Sequence, residues 1–279
     1  GVRVTNAKHP NNASTTNYLN RYWTVVSSGI TSFSCTVTGT FVAADVAGTV
    51  GSQVAGKYNG SLPWIKYSTL SGTTLTASGV TAFSDFTGIT DATPTVSISG
   101  GGVTVCKDAS VTLTANPVGD APFTYSWTGL ISGSTTNPTA TANTSTVGGP
   151  NSYTVTVTDG NGISSAASTA VTVTVAADPV AQTINGTPAS GTSICLGGSV
   201  SAIFSGGSGG TGTVTDNYEY SLDGGSTWFT YTPGNSITST STGTNQVQIR
   251  TWRTATGTGC DNSGYNTAQW TVWLTQQLV

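Results

Sequence analysis

The chain has 279 residues and a formal net charge of −3, and only 7% of its residues are Asp, Glu, Lys or Arg, against roughly 25% in an average soluble protein. Its eight Lys and Arg residues are scattered singly, which excludes the basic patch that nucleic acid requires. No run of eighteen apolar residues is present to span a membrane as a helix. Seven Trp, ten Tyr and seven Phe supply enough apolar mass for packed cores, so the low charge is not a sign of disorder. Thr, Ser, Asn and Gly take the place of charge on the surface. Such a surface repels itself weakly, and contact between copies is electrostatically cheap. The opening GVRVTNAKHP is not a signal peptide, and with no Met in the sequence the chain reads as a mature or trimmed one.

Period-two alternation runs along the whole chain and predicts strands. Residues 1–20 are Asn-rich and contain the single His, His9; they read as a loop or as an arm for a neighbouring subunit. Strands follow in RYWTVV (21–26) and SFSCTVTGTF (32–41). The Gly-rich stretch AADVAGTVGSQVAGKYNGS (43–61) comes next, with Trp64 soon after, and then VTAFSDFTGIT (80–90). At ITDATPTVSISGG (89–101) a Pro follows a finished strand pattern and the pattern starts again. TVCKDASVTLTA (104–115), TYSWTG (124–129), SYTVTVTD (152–159) and TAVTVTV (169–175) fill the next stretch. A second break falls at VTVAADPVAQTINGTP (173–188). Beyond it stand SICLGGSVSAIF (193–204), YEYSLDGGSTWFTY (218–231), QIRTWRT (248–254) and WTVW (270–273). The segments after the two breaks share one plan: Cys, three residues, Ser-Val, alternating apolar residues, then an aromatic strand. That is an internal repeat. No segment combines a 3.6 period with a capping box. The expectation is an all-β chain with almost no helix and three tandem β-sandwich modules at 1–92, 93–178 and 179–279.

The residues that carry catalysis are scarce. His9, in its polar stretch, reads as a solvated loop side chain. Glu219, the only Glu, lies between Tyr218 and Tyr220 and reads as pointing to solvent. Asp120, Asp159, Asp223 and Asp261 sit in turn sequences, where turn chemistry accounts for them. Asp159 with Asn161, or Asp216 with Asn217, could offer oxygens to calcium, but no dense acidic run stands there. The expectation is no enzyme activity, no cofactor and no metal. Trp127 and Trp228 read as core. In WTVW the odd spacing puts Trp270 and Trp273 on opposite faces of a strand, one inward and one outward. The outward ring, with Trp252 nearby, is a candidate interface anchor, glycan platform or inter-module contact. The four Cys (Cys35, Cys106, Cys195 and Cys260) form no CxxC pair, and with one His a zinc site is not expected. Their even number in a β protein of this composition reads as disulfides in an oxidising compartment.

YTVTVTDGNG (153–162), after a Cys-initiated strand and a Tyr-x-Trp strand, resembles the PKD or Ig-like repeats of large secreted surface proteins of Bacteroidota. YSLDGGSTW (220–228) looks like a variant from the same proteins. The first module, with NRYWTV (20–25), is similar to the domain that often precedes such repeats. The resemblance implies Ig-like or PKD-like sandwiches, type IX secretion, and an extracellular or cell-surface place. Its implied roles are adhesin, gliding component or scaffold. It also implies that the opening Cys of a module pairs with a Cys near its close, which gives Cys195–Cys260, a loop of about 66 residues worth roughly 4 kcal/mol in the chain-entropy model. Where the second module would place the matching Cys it has Ile163. Cys106 is then left with Cys35, either as a staple between modules one and two, as two buried thiols, or as an intermolecular bond. The functional expectation is a structural subunit of a surface filament, sheath or matrix. It would assemble with copies of itself or other surface components through sandwich contacts or strand exchange. The alternatives are an adhesin fragment that binds glycans, and a carbohydrate-binding or spacer region of a larger secreted protein.

Overall fold

The computed structural model describes residues 1–274. Thr and Val alternating with small side chains produce strands almost throughout, because β-branched residues suit a pleated, half-buried surface. In chain order the first strands are β1 (Val2–Thr5), β2 (Tyr18–Leu19), β3 (Tyr22–Val25), β4 (Cys35–Thr40), β5 (Val46–Ala47), β6 (Gln53–Tyr58), β7 (Ile65–Thr69), β8 (Thr74–Val80) and β9 (Asp85–Thr90). Then come β10 (Thr95–Ser99), β11 (Val103–Cys106), β12 (Thr112–Val118), β13 (Thr124–Thr128), β14 (Ile131–Ser132), β15 (Thr139–Ala142), β16 (Gly148–Thr158) and β17 (Val171–Ala176). The last are β18 (Thr183–Thr187), β19 (Ser193–Cys195), β20 (Ser199–Ser205), β21 (Val214–Ser221), β22 (Phe229–Thr230), β23 (Ile237–Thr238), β24 (Gly243–Ala255) and β25 (Asn266–Trp273). Helical structure among the described residues is limited to two three-residue 3-10 turns, Ala43–Asp45 and Val50–Ser52. The fold is all-β, built of serial β-sandwich layers, as the alternation predicts.

The first nine strands form a five-stranded sheet in the order β1-β3-β9-β6-β7 and two small pairs, β4-β8 and β2-β5. Leu19, Trp23, Phe41, Leu75, Val80 and Phe86 make the core between them. Trp23 lies so close to β4 that a Cβ on Gly39 would stand 2.9 Å from its ring, so only glycine fits there. The middle strands form two four-stranded sheets, β10-β12-β15-β14 and β11-β17-β16-β13. β11 runs parallel to β17, with Val103 opposite Val173, and Leu113, Trp127, Tyr153 and Val155 are buried. The last strands form β18-β20-β23 and β19-β25-β24-β21-β22, around a core of Val200, Tyr231, Val247, Ile249 and Trp270. The described residues group into two compact units. One holds Gly1–Gly101, Thr112–Thr141 and Ser152–Val171; the other holds Gly102–Val111, Ala142–Asn151 and the chain from Thr172 onward.

Residues 1–20 are not a free arm. β1 pairs with β3, Val2 opposite Val25, and His9, Asn12 and Ser14 are buried. The Asn12 amide donates to the Gly88 carbonyl at 3.1 Å, and the Trp64 indole N–H donates to the Asn11 carbonyl at 3.2 Å. The Asn-rich composition that suggested solvent instead supplies buried hydrogen-bonding groups to the segment's own sandwich.

Candidate functional site

The titratable groups come first, because chemistry would need them. His9 is 2% exposed, which corrects its reading as a solvated side chain. Its ring is boxed by Tyr22, Tyr58 and Trp64, with centroids 4.9, 5.2 and 4.9 Å away. The Asn11 backbone N–H donates to Nδ1 at 3.1 Å, so the neutral ring carries its proton on Nε2, which faces Asp85 Oδ2 at 3.1 Å. This tautomer follows from the hydrogen-bond network. Both nitrogens are committed to the protein, and neither is free to take a proton from a substrate.

The acids are similarly engaged. Glu219 and Arg250 stand opposite each other on β21 and β24, and Glu219 Oε2 accepts from Arg250 Nε and Nη2 at 2.9 and 2.6 Å. Glu219 therefore faces outward but is held by a guanidinium, not loose in solvent. Asp216 takes two hydrogen bonds from Arg253. The Asn217 amide is turned to the Thr215 carbonyl. Asp159 Oδ1 accepts the backbone N–H groups of Asn161 and Ile163 at 3.0 and 2.9 Å, the turn role expected of it. Asn161 donates to Asp120 Oδ2 at 3.0 Å. Burial pushes the Asp120 carboxyl above its usual range, and a hydrogen bond from Ser14 works against that rise. Asp223 is held down to about 2, first by the Thr227 hydroxyl and backbone N–H and then by Ser221. Among the described residues no group of three or more His, Cys, Asp or Glu comes together as a metal site would need.

The cysteines pair differently from either expectation. Cys106 bonds to Cys260, with Cα atoms 4.9 Å apart, while Cys35 and Cys195 are thiols. The reason lies in register. Cys195 stands beside Trp273 at the far end of β25, whereas Cys260 precedes the near end of that strand at Asn266. Eight strand residues span roughly 26 Å, well beyond the 7 Å limit for a disulfide. Cys106, at the end of β11, instead meets the 258–260 turn, and its N–H donates to the Thr258 carbonyl at 2.9 Å.

The best-developed surface feature is the outer face of the β19-β25-β24-β21-β22 sheet. Ile249 and Thr251 are buried, so strand alternation turns Arg250 and Trp252 outward. The Arg250 guanidinium lies 3.7 Å from the Trp228 ring and 4.1 Å from the Tyr265 ring. Rings that close must occupy its two faces, and such stacking contributes about 0.5–1 kcal/mol per exposed contact. Trp252 packs edge-on to Tyr265 at 5.2 Å, and Tyr265 is 60% exposed. Trp228 is thus a half-buried lid on Arg250 and not a core residue; its N–H donates to the Gly225 carbonyl within the 221–228 turn. Along β25, Trp270 is fully buried and Trp273 is 56% exposed, the split that the odd spacing predicts. Thr267 and Gln269, opposite Arg250 and Gln248, lie on the outer face as well. The surface offers π-faces, hydroxyls and amides, and its cation is already neutralised by Glu219. Sequence reasoning missed Asp85, Arg250 and Tyr265; for Arg250 the signal was there in the matching alternation of YEYS and QIRTW, but only with the register known.

No protein-family model and no curated protein matches the chain. Among solved structures it is similar to the three N-terminal domains of the Highly Immunogenic Outer Capsid protein (Hoc) of bacteriophage RB49. That match has 14% identity and a TM-score of 0.35, covering 98% of this chain and 100% of that one. It is also similar to the fibronectin(III)-like modules of Clostridium thermocellum CbhA, at 18% identity and a TM-score of 0.26, covering 64% of this chain and 94% of that one. A third is the N-terminal four Ig domains of Dscam1 isoform 6.44, at 12% identity and a TM-score of 0.27, covering 98% of this chain and 65% of that one. All three likenesses are distant.

Proposed function

We propose that the chain is a non-enzymatic, extracellular structural protein that associates with its own kind through β-sandwich surfaces, as a subunit of a filament, sheath or matrix. Its modules in this reading are 1–92, 93–178 and 179–279, and the type IX export route rests on sequence resemblance alone. The observation that carries the proposal is the outer face around Arg250. It gathers Trp228, Trp252 and Tyr265 on a surface whose charge is cancelled by Glu219. Aromatic residues and a stacked Arg are what interface centres favour. The commitment of His9, Glu219, Asp216 and Asp159 to partners within the chain supports contact over bond-making chemistry.

The test is size exclusion with light scattering, together with negative-stain microscopy, on the purified chain across a range of concentrations. Concentration-dependent oligomers that weaken on Tyr265→Ala are expected; monomers at every concentration would sink the reading. The exposed Trp273 and Tyr265 favour a second reading, a glycan-binding adhesin, since sugars stack on such rings. Binding on a glycan array that Trp273→Ala abolishes with the melting temperature unchanged would favour it.

A further inference from the structure

Three Asn-Gly pairs stand in the chain: Asn59-Gly60, Asn161-Gly162 and Asn185-Gly186. Such a pair carries a reaction of its own. The backbone nitrogen of the glycine can attack the side-chain carbonyl carbon of the asparagine, and a glycine, having no Cβ, puts nothing in the way. Ring closure brings the two atoms to attack distance, about 3–3.5 Å. It therefore needs a backbone free to turn and two groups that no other partner holds. The fold denies this at two pairs and grants it at the third.

Asn161 is fully buried. Its Nδ2 donates to Asp120 at 3.0 Å and its Oδ1 accepts the Ala13 N–H at 2.9 Å. The Gly162 N–H is spent on the Asp159 carbonyl at 2.9 Å. Gly162 also lies so close to Pro63 that a Cβ there would stand 2.6 Å from the proline Cα. Asn185 and Gly186 sit inside β18, opposite Ile203 and Ala202 of β20. Asn185 Nδ2 donates to Ser205 Oγ at 3.1 Å, and Gly186 is pressed against the Trp270 ring. At either pair, ring closure would first have to break hydrogen bonds and packing. Asn59 and Gly60 instead follow β6 in its connection to β7, and Asn59 is exposed. Among the described residues neither the Asn59 side chain nor the Gly60 N–H has a hydrogen-bond partner. Gly60 has φ +92°, and a Cβ on it would meet nothing within 4 Å. Exposed loop tips of small and polar residues are where covalent change concentrates.

We propose that Asn59 is a site of spontaneous modification in the folded chain, where the Gly60 nitrogen closes on the Asn59 side chain. The bond from Gly60 N to Asn59 Cγ forms as the Cγ–Nδ2 bond breaks. The Gly60 proton leaves with Nδ2 as ammonia, and a five-membered imide remains. Water then adds to one of the two imide carbonyls. Opening one C–N bond gives aspartate; opening the other gives isoaspartate, in which the main chain runs through the former side chain. No oxidant, reductant or enzyme takes part. Either product adds one negative charge to a chain of formal net charge −3. Isoaspartate also adds one methylene to the backbone between Tyr58 and Trp64, two of the rings that border His9. A population of folded chains thus becomes mixed in charge with age, and position 59 records that age.

The experiment incubates the full chain at pH 8 and 37 °C, with a parallel sample unfolded in guanidinium chloride. Ion exchange follows acidic species over time, and peptide mapping separates asparagine, aspartate and isoaspartate at positions 59, 161 and 185. From the folded chain an acidic species should grow, map to position 59 and hold more isoaspartate than aspartate, with 161 and 185 unchanged. In the unfolded sample all three should convert. Asn59→Gln, which would have to close a larger ring, should abolish the acidic species. Position 59 unchanged in the folded chain while it converts in the unfolded one overturns the proposal. So does conversion of folded 161 or 185 as fast as 59, or an acidic species that persists in Asn59→Gln. Aspartate without isoaspartate at 59 would mean direct hydrolysis by water, and it overturns the role of the Gly60 nitrogen.

Discussion

His9 and Arg250 are each ringed by aromatic side chains and each tied to a single carboxylate, yet they do opposite jobs. His9 is enclosed by Tyr22, Tyr58 and Trp64, and both its nitrogens are spent on Asn11 and Asp85. Arg250 is clasped by Trp228 and Tyr265 and pinned by Glu219, but the clasp stands on the outside of its sheet. The His9 cage organises the N-terminal segment; the Arg250 stack organises a surface. Burial, and not the list of neighbours, separates a structural cluster from one available to a partner.

That comparison can be broken most forcefully through the disulfide. Cys106→Ser combined with Cys260→Ser opens a closure with a sequence separation of 154, which should cost about 5 kcal/mol in the chain-entropy model. Hydrogen exchange followed by peptide mass spectrometry should then show faster exchange over residues 214–255, which hold Arg250, with residues 22–90, around His9, little changed. Equal loss in both would mean that the two clusters share one cooperative unit. The next effect compares the clusters directly. His9→Ala empties a filled, hydrogen-bonded site and should lose roughly 3 kcal/mol in urea unfolding. Arg250→Ala removes a half-exposed stack and ion pair and should lose about 1 kcal/mol. Comparable losses would erase the distinction between cage and surface.

The smallest effect concerns the turn beneath Trp228. Asp223 is held at about 2, below its ordinary value of 3.8. A depressed carboxylate adds stability above its ordinary value and loses it as pH falls toward the folded value. Asp223→Asn should therefore melt below the parent chain at pH 5, and the gap should close as pH approaches 2. A gap of constant size would show that the Thr227 and Ser221 hydrogen bonds do not favour the ionised form.

Much of this architecture was legible because strand alternation is a local signal. The opposite facing of Trp270 and Trp273, the buried Trp127 and the turn role of Asp159 all follow from residue type and spacing, while which of the two Trp rings is inward does not. What was not legible depends on register between distant segments. Cys106 finds Cys260 because the turn before β25 passes the end of β11, and nothing near either residue announces it. Glu219 meets Arg250 only once β21 and β24 are aligned. His9 looked solvated because its neighbours in sequence are polar, whereas its neighbours in space, Tyr58, Trp64 and Asp85, lie some fifty or more residues away.

The Cys106–Cys260 bond also sets how the chain answers a pull on its two ends. Tension enters through residues 1–105 and 261–279, and the covalent link carries it past everything between. At about 3.5 Å per extended residue, the chain can pay out roughly 430 Å instead of the roughly 980 Å of an unlinked one. The stretch 107–259 between the two cysteines carries no tension along its own backbone, so the bond acts as a built-in stop on stretching, and a reductant would release it.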